Sequence, residues 1–206
     1  LSVTGTSGFT GTVTTQALTV GGNLSVTGTS GFTGSVTTQA LTVGSNLSVT
    51  GTSTFTGAVS TTSAVTVGGS LIVTGTSQMT GAVSTTAAVT VGGALTVTGS
   101  TTLTGSTSIT GNISIGGNFT VTGTSTFTGL VSTLAVNIGG LLSVAGASNF
   151  TGLLTTTGGV IVGGTLNVGG LLNTIGGVQI GGALSVAGAT SLGGALSVGG
   201  LFTVLV

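Results

Sequence analysis

Residues 47–70 read LSVTGTSTFTGAVSTTSAVTVGGS, and this stretch decides the fold through a strict alternation of side chains. From Leu47 onward, every second position holds an aliphatic, aromatic or small residue, and the positions between them are mostly Thr, Ser and Gly. Such a period of two places the two sets of side chains on opposite faces of a strand. A helix would need apolar residues three and four positions apart, and that spacing is missing here. The stretch therefore predicts β-strands.

The alternation is organised in units of six residues, in the order apolar, any, apolar, any, glycine, any. The frame extends over the whole chain as 35 hexads once three one-residue deletions are allowed, at Val13–Ala17, Val36–Ala40 and Val131–Ala135. Glycine fills the fifth position in 28 of the 35 hexads. The other fifth positions hold Ala17, Ala40, Ser45, Ser63, Ala87, Ala135 and Val206.

Four hexads together form a longer repeat. Residues 1–23 recur almost unchanged at 24–46, and 24-residue copies begin at Leu47, Leu71 and Leu95. A 23-residue copy follows from Phe119, and another 24-residue copy from Leu142. We expect like residues to stack on like across copies, with one large core residue per copy. This series is Phe9, Phe32, Phe55, Met79, Leu103, Phe127 and Phe150.

The chain has no ordinary turn signals between its strands. Sandwiches and barrels interrupt their strands with turn residues every 8–12 positions, whereas this sequence contains no Pro and the alternation never stops. A chain that stays β-patterned while bending every six residues describes an all-β β-helix, or β-solenoid. The corners should fall at the inward glycines, where no Cβ obstructs the bend and positive φ is accessible.

Two β-helical architectures satisfy this pattern. The small core and the glycine at nearly every corner favour an intertwined homotrimeric triangular β-helix, in which each chain gives one hexad to each rung. The alternative is a single-chain β-solenoid with three or four hexads per rung, and the four-hexad rung would stack Phe on Phe. At an inter-strand spacing of about 4.8 Å, the trimer would be roughly 170 Å long and the single chain roughly 40–60 Å.

The outward positions divide the chain into two segments. Both ends fall inside the repeating pattern, so we expect the chain to be a piece of a longer polypeptide. Residues 1–157 form a Thr/Ser-faced hexad shaft, and residues 158–206 continue it with a more apolar exterior, which suggests contact with a neighbouring chain or segment. The outward apolar residues of the second segment are Ile161, Leu171, Ile175, Ala183, Ala187, Ala189, Ala195, Leu201 and Leu205.

The composition excludes most chemistry. The 206 residues include no Lys, Arg, Asp, Glu, His or Cys, so no side chain serves as a general acid or base near neutral pH or binds a metal strongly. We therefore predict no enzyme activity, no catalytic residue, no cofactor site and no metal site. Without cations the chain cannot neutralise a phosphate backbone, and without an apolar run of about 20 residues it holds no membrane-spanning helix.

The repeat style carries a resemblance. NLSVTGTSTFTGAVST at residues 46–61 and VGGNLSVTGTSGFTG at residues 20–34 resemble the low-complexity repeats of phage tail-fibre and large-DNA-virus fibre proteins. This resemblance implies an elongated, usually homotrimeric β-structured shaft on a virion surface or in the extracellular space. It also implies other fibre or virion proteins as partners, beside self-association.

Two further patterns bear on function. Five asparagines begin N-x-Ser/Thr sequons and are candidate glycosylation sites, although asparagine also suits corners through bonds to the local backbone. They are Asn23, Asn46, Asn112, Asn118 and Asn149. Thr-x-Thr runs resemble those of β-solenoid antifreeze proteins and would project from one side of a flat sheet. They occur at Thr4–Thr6, Thr10–Thr12–Thr14 and Thr120–Thr122–Thr124.

The sequence as a whole predicts a structural fibre without catalysis, whose work is mechanical spacing or surface display. An ice-binding solenoid is the second hypothesis, and it depends on the Thr-x-Thr runs. A secreted filament that assembles by end-to-end stacking is the third.

Overall fold

The computed structural model describes residues 1–204, and over these residues the chain is an all-β, parallel β-solenoid with no helix. Leu205 and Val206, placed by the sequence on the outer side and at the last corner, lie outside the described residues. Three faces enclose one core, and each turn of the chain adds one strand to each face. Among the described residues no helix is long and apolar enough to cross a membrane.

Face 1 is a sheet of twelve parallel strands. Its strands are β1 (Ser2–Val3), β4 (Leu18–Val20), β7 (Val36–Thr38), β10 (Ser53–Phe55), β13 (Leu71–Val73), β16 (Val89–Val91), β19 (Thr107–Ile109), β21 (Ser125–Phe127), β23 (Leu142–Val144), β26 (Val160–Val162), β29 (Val178–Ile180) and β32 (Leu196–Val198).

Face 2 follows face 1 in every turn. Its strands are β2 (Ser7–Phe9), β5 (Leu24–Val26), β8 (Leu41–Val43), β11 (Val59–Thr61), β14 (Ser77–Met79), β17 (Leu95–Val97), the first part of β20 (Ile113–Val121), the first part of β22 (Val131–Ile138), β24 (Ser148–Phe150), β27 (Leu166–Val168), β30 (Leu184–Val186) and β33 (Phe202–Val204).

Face 3 completes the turn. Its strands are β3 (Val13–Thr15), β6 (Ser30–Phe32), β9 (Leu47–Val49), β12 (Val65–Val67), β15 (Val83–Thr85), β18 (Thr101–Leu103), the second parts of β20 and β22, β25 (Leu154–Thr156), β28 (Leu172–Thr174) and β31 (Thr190–Leu192). Because β20 and β22 run unbroken around the corner, faces 2 and 3 form one continuous sheet.

A rung contains three hexads, so each strand pairs with the strand that lies one full turn later in the chain. Leu71 pairs with Val89, for example. Where the sequence lacks one residue the step is 17, as in the pairing of Thr38 with Phe55. The deletions shorten corners and leave the in–out alternation of the strands intact. Three hexads per rung is the single-chain alternative predicted above, and the four-hexad rung is wrong.

The core contains the first and third residues of each strand, as the alternation predicts. Most three-residue strands bury both end residues and expose the middle one, as β12 does with Val65, Thr66 and Val67. The resulting cluster of Val, Leu, Ile, Phe and Met runs continuously along the axis. The largest side chains in it, such as Phe55 and Phe119, have 0% of their surface exposed.

No phenylalanine pairs with another along the strand ladders of the described residues, which corrects the expectation of like on like; Phe119 and Phe127 meet only across the core, with ring centroids 5.8 Å apart. Because a copy has four hexads and a rung has three, each copy starts one face further round. Phe32 therefore lies on face 3, Phe55 on face 1 and Met79 on face 2. Phe55 pairs with Thr38 below and Val73 above. The other inward residue of its strand is the small Ser53. Ser53 and Phe55 together fill about the same volume as a Leu and a Val, so this strand packs against strands that carry Leu and Val.

The corners need glycine because successive rungs approach closely. Every described glycine has negative φ, so the expected positive φ is wrong. The physical reason is vertical packing: a Cβ on Gly51 would lie 2.6 Å from the carbonyl carbon of Gly34 one rung below, and one on Gly69 would lie 2.7 Å from that of Gly51. The corner amide of Gly69 donates to the carbonyl of Gly51 at 3.2 Å, which continues the hydrogen-bond ladder between rungs.

Inward hydroxyl groups fall into two classes. Thr38, Thr61, Thr85, Thr156 and Thr174, each the third residue of a strand, donate to the carbonyl two residues on. Thr38 Oγ1 also donates to the carbonyl of Gly22, at 2.9 Å. Others have no protein partner despite full burial. These are the hydroxyls of Ser30, Ser53, Ser77, Thr101, Thr107, Ser125, Thr133, Ser148 and Thr190.

Candidate functional site

The outer surface is where a function must be sought, because the core is filled and the sequence has no titratable side chain. Each face presents the middle residue of every strand, flanked by corner residues. On face 3 the middle residues of successive strands include Ser84, Thr102 and Thr120, which pair in register. The surface therefore consists of vertical rows of uncharged side chains at the rung spacing of about 4.8 Å.

The Thr-x-Thr runs do not lie on one flat side. The glycine of each run is a corner, so Gly5, Gly11 and Gly123 turn the chain between successive threonines. Thr124, for example, lies past the corner from Thr120 and donates to the Ser106 hydroxyl at 3.3 Å. The expectation of a single plane is therefore wrong for each run as a whole, and only a pair with no corner between its members, such as Thr120 and Thr122, shares one face.

A different hydroxyl block forms by vertical stacking on face 3. Three successive rungs there carry a pair of outward hydroxyls, at the middle of the strand and two residues later: Ser84 and Thr86, Thr102 and Thr104, and Thr120 and Thr122. One rung below, Gly68 takes the outer place, and its carbonyl accepts a hydrogen bond from Thr86 Oγ1. One rung above, Gly139 takes the outer place, so the block covers three rungs only.

All five sequon asparagines are exposed. Four lie at corners, as predicted, and two of these bond the next rung: Asn46 Oδ1 accepts from the amide of Ala64 at 3.1 Å, and Asn112 Oδ1 from that of Leu130 at 3.0 Å. Asn149 is the exception, because it is the middle residue of β24 and pairs with Asn167 of β27. Glycosylation of these asparagines stays a prediction.

Exposed apolar side chains occur both within residues 158–206 and before them. Leu171 and Ile175 are exposed as expected, and Ile175 retains 67% of its surface. Exposed leucines already occur in the preceding rungs, at Leu130, Leu134, Leu141 and Leu153. A change in average composition does not locate these leucines, because each is a single outward position among Thr, Ser and Gly.

A shallow groove crosses face 1 among these residues. It has a volume of about 350 Å³ and lies where Gly159 and Gly177 take the corner places that Leu141 and Ala195 hold in the flanking rungs. Ile161 and Gln179 form its other side. The groove contains no charged group, so its side chains offer apolar contact, the amide of Gln179 and the hydroxyl of Ser197.

No protein-family model, curated protein or solved structure matches the chain.

Proposed function

We propose that this chain is a structural shaft, a rigid uncharged rod whose work is mechanical spacing or surface display. The observation that carries the proposal is the mismatch between the repeat of four hexads and the rung of three. Because each copy starts one face further round, the outward residues of every copy appear on all three faces in turn. A surface whose repeated residues are distributed over all three faces suits a spacer better than a one-sided binding protein.

Rigidity supports the same role. Every rung is bonded to the next on three faces, and the corners add further bonds, such as Gly93 to Gly75 at 3.1 Å. A rod of this kind transmits distance without a hinge. The proposal assigns the chain no chemical step and no cofactor.

The repeat style that resembles viral and phage fibre shafts supports a place on a virion surface or in the extracellular space. Other fibre or virion proteins would then be the partners at the ends of the rod.

Duplication of residues 47–118 tests the spacer role. This segment makes four rungs, so the duplication should lengthen the rod by about 19 Å at constant width. With one end tethered to a surface, a reporter fused to the other end should rise by the same distance. A reporter height that does not follow the added rungs would contradict the proposal.

The intertwined homotrimer predicted from the sequence is the alternative assembly, and the buried hydroxyls without partners favour it. With threefold symmetry, each rung would contain the same hexad from three chains. Three copies of Ser53 would then share one rung and could bond one another. In the single-chain rung each such hydroxyl is alone, which costs about 1–3 kcal/mol per group.

Ice binding is a second candidate function, supported by the hydroxyl block on face 3. Thermal hysteresis of the protein tests it, and the triple variant Thr86→Val, Thr104→Val and Thr122→Val should change any hysteresis that this block produces. A protein without hysteresis removes this candidate and leaves the shaft proposal intact.

A further inference from the structure

The three faces of the shaft are related by a screw operation that the sequence repeat generates. A shift of four hexads is four thirds of a three-hexad turn, so it rotates the surface by one face and raises it by about 6.4 Å. The glycine that directly follows the strand in the last hexad of each copy shows this rotation. Gly21 follows a face 1 strand, Gly44 a face 2 strand, Gly68 a face 3 strand and Gly92 a face 1 strand again. Over the copies of the repeat, from residue 1 to residue 165, a surface formed by one copy therefore recurs on the next face in the following copy.

Each face is flat and free of charge. Most middle residues of its strands are small and polar, with exceptions such as Ile72 and Ile161 on face 1. Thr37, Thr42 and Thr66 are examples of the exposed polar residues. Thr also presents a methyl group beside its hydroxyl. Natural sheets usually place charges where they must avoid stacking on other sheets, and this chain has none.

We propose that all three faces are lateral docking surfaces for further copies of this chain, so that the shafts pack side by side into bundles. The inference rests on the proposed structural role and deepens it by naming the partner and the contact. Because the contact surface recurs on three sides, association does not close at a dimer but continues in two dimensions.

The area available on one face is sufficient for such a contact. A third of the accessible surface of 8314 Å² is roughly 2,800 Å², while a stable interface buries about 800 Å² on each partner. A face therefore meets this requirement when less than half of it is covered. The Leu and Ile side chains exposed in the later rungs would add apolar contact to the polar one.

Charge and spacing identify a second copy as the partner. A surface without charges offers no complementarity to an acidic or basic protein, to nucleic acid or to an anionic lipid. A second copy has the same zero charge and the same rung spacing of about 4.8 Å. The side-chain rows of one shaft can therefore lie between those of its neighbour along the whole contact, as in stacked sheets.

Lysine substitutions on separate faces test this inference in the full chain. One variant carries Thr37→Lys, Thr90→Lys and Thr126→Lys on face 1. The face 2 variant has Thr42→Lys, Thr96→Lys and Ser132→Lys, and the face 3 variant has Thr66→Lys, Ser84→Lys and Thr102→Lys. All nine positions are exposed mid-strand residues, so the fold should be kept. Serine at the threonine positions and threonine at the serine positions provide the neutral controls.

Sedimentation velocity across a concentration series gives the readout. The unsubstituted protein, of 19.0 kDa, and the neutral controls should form bundles. Each single-face variant should raise the concentration needed by about tenfold, and the variant with all nine lysines should stay a monomer. Salt at about 1 M should restore association, because it screens charges beyond about 3 Å.

Two results would overturn the inference. The first is an unsubstituted protein that stays monomeric at every concentration. The second is a set of single-face variants in which lysines on one face weaken association and lysines on the other two faces have no effect. Circular dichroism and negative-stain images of the nine-lysine variant separate this failure from failure of the shaft itself. A monomeric rod with a length of about 50 Å, as the rung spacing requires, keeps the structural role without bundling. A particle that is not a rod contradicts both.

Discussion

Glycine at the fifth position of a hexad is a packing requirement between rungs. The backbone of the rung below occupies the place of a side chain at Gly51, at a distance that real Cβ atoms do not reach. The natural exceptions within the described residues are only Ala and Ser, the smallest side chains available. The sequence indicated where the corners lie, but the reason for glycine there needed the vertical neighbour, which a one-dimensional pattern does not contain.

Gly51→Val should lower the free energy of unfolding by about 2 kcal/mol or more, because the branched side chain must displace the Gly34 backbone. Gly31→Val is the matched control. A Cβ at Gly31 has only Thr14 Oγ1 nearby, at 3.8 Å, and the position lies in the middle of strand β6. Urea unfolding compares the two, and equal losses would contradict the packing account.

The two classes of buried hydroxyl should respond oppositely to removal. Ser53→Ala deletes a hydroxyl without a partner, so stability should stay equal or rise by up to about 1 kcal/mol. Thr38→Val keeps the shape but removes the donor to Ala40 and Gly22, so stability should fall by about 1 kcal/mol. Thermal unfolding of both variants checks this. A clear loss for Ser53→Ala would show that its hydroxyl has a partner, as the homotrimer requires.

At the scale of the element, the unit of folding is one three-residue strand with its corner. Alternation alone predicted the all-β class, the inward and outward sides and the corner positions, because all of these depend on neighbours within one hexad. The number of hexads per rung did not follow from the sequence. The repeat of four hexads favoured four hexads per rung. The structure has three hexads per rung, because the inward residues of strands such as Ser53–Phe55 and Leu71–Val73 fill similar volumes and need not stack on copies of themselves.

Removal of one whole hexad should therefore be tolerated. Deletion of residues 59–64 removes β11 and its corner, and the following hexads move round by one face without changing their inward residues. Deletion of residues 59–61 removes the strand but keeps its corner, which leaves one face open at that rung. The first variant should keep the circular dichroism of the parent and most of its Tm, and the second should lose at least several degrees. Equal behaviour would contradict the hexad as the folding unit.

The sequence also predicted only part of the surface. Outward parity placed all five sequon asparagines on the exterior and predicted an apolar outer surface near the end of the chain. It placed Asn149 at a corner and the Thr-x-Thr runs on one plane, and both were wrong because they depend on where the rung turns. The screw relation between the faces also depends on the rung length, because a shift of four hexads becomes a rotation by one face only if a turn contains three hexads.

At the scale of the whole molecule, the absence of charge makes stability independent of pH. The folded and unfolded chains carry no side chain that titrates, so unfolding releases and binds no side-chain protons. The free energy of unfolding should stay constant within about 0.5 kcal/mol between about pH 5 and pH 9. Urea titrations at several pH values measure it, and a slope well above that range would contradict the account.

The central claim is that one chain forms all three faces, with three hexads in every turn. The distance between two labels within one chain tests it most directly, and the chain has no native cysteine to interfere. Cysteines at Thr19 and Thr126, both on face 1, would carry spin labels in a sample diluted with unlabelled protein. Six rungs separate strands β4 and β21, so a pulsed electron resonance measurement should give about 29 Å. An intertwined homotrimer places 18 hexads between the same residues, and a distance of about 86 Å would contradict the single-chain solenoid.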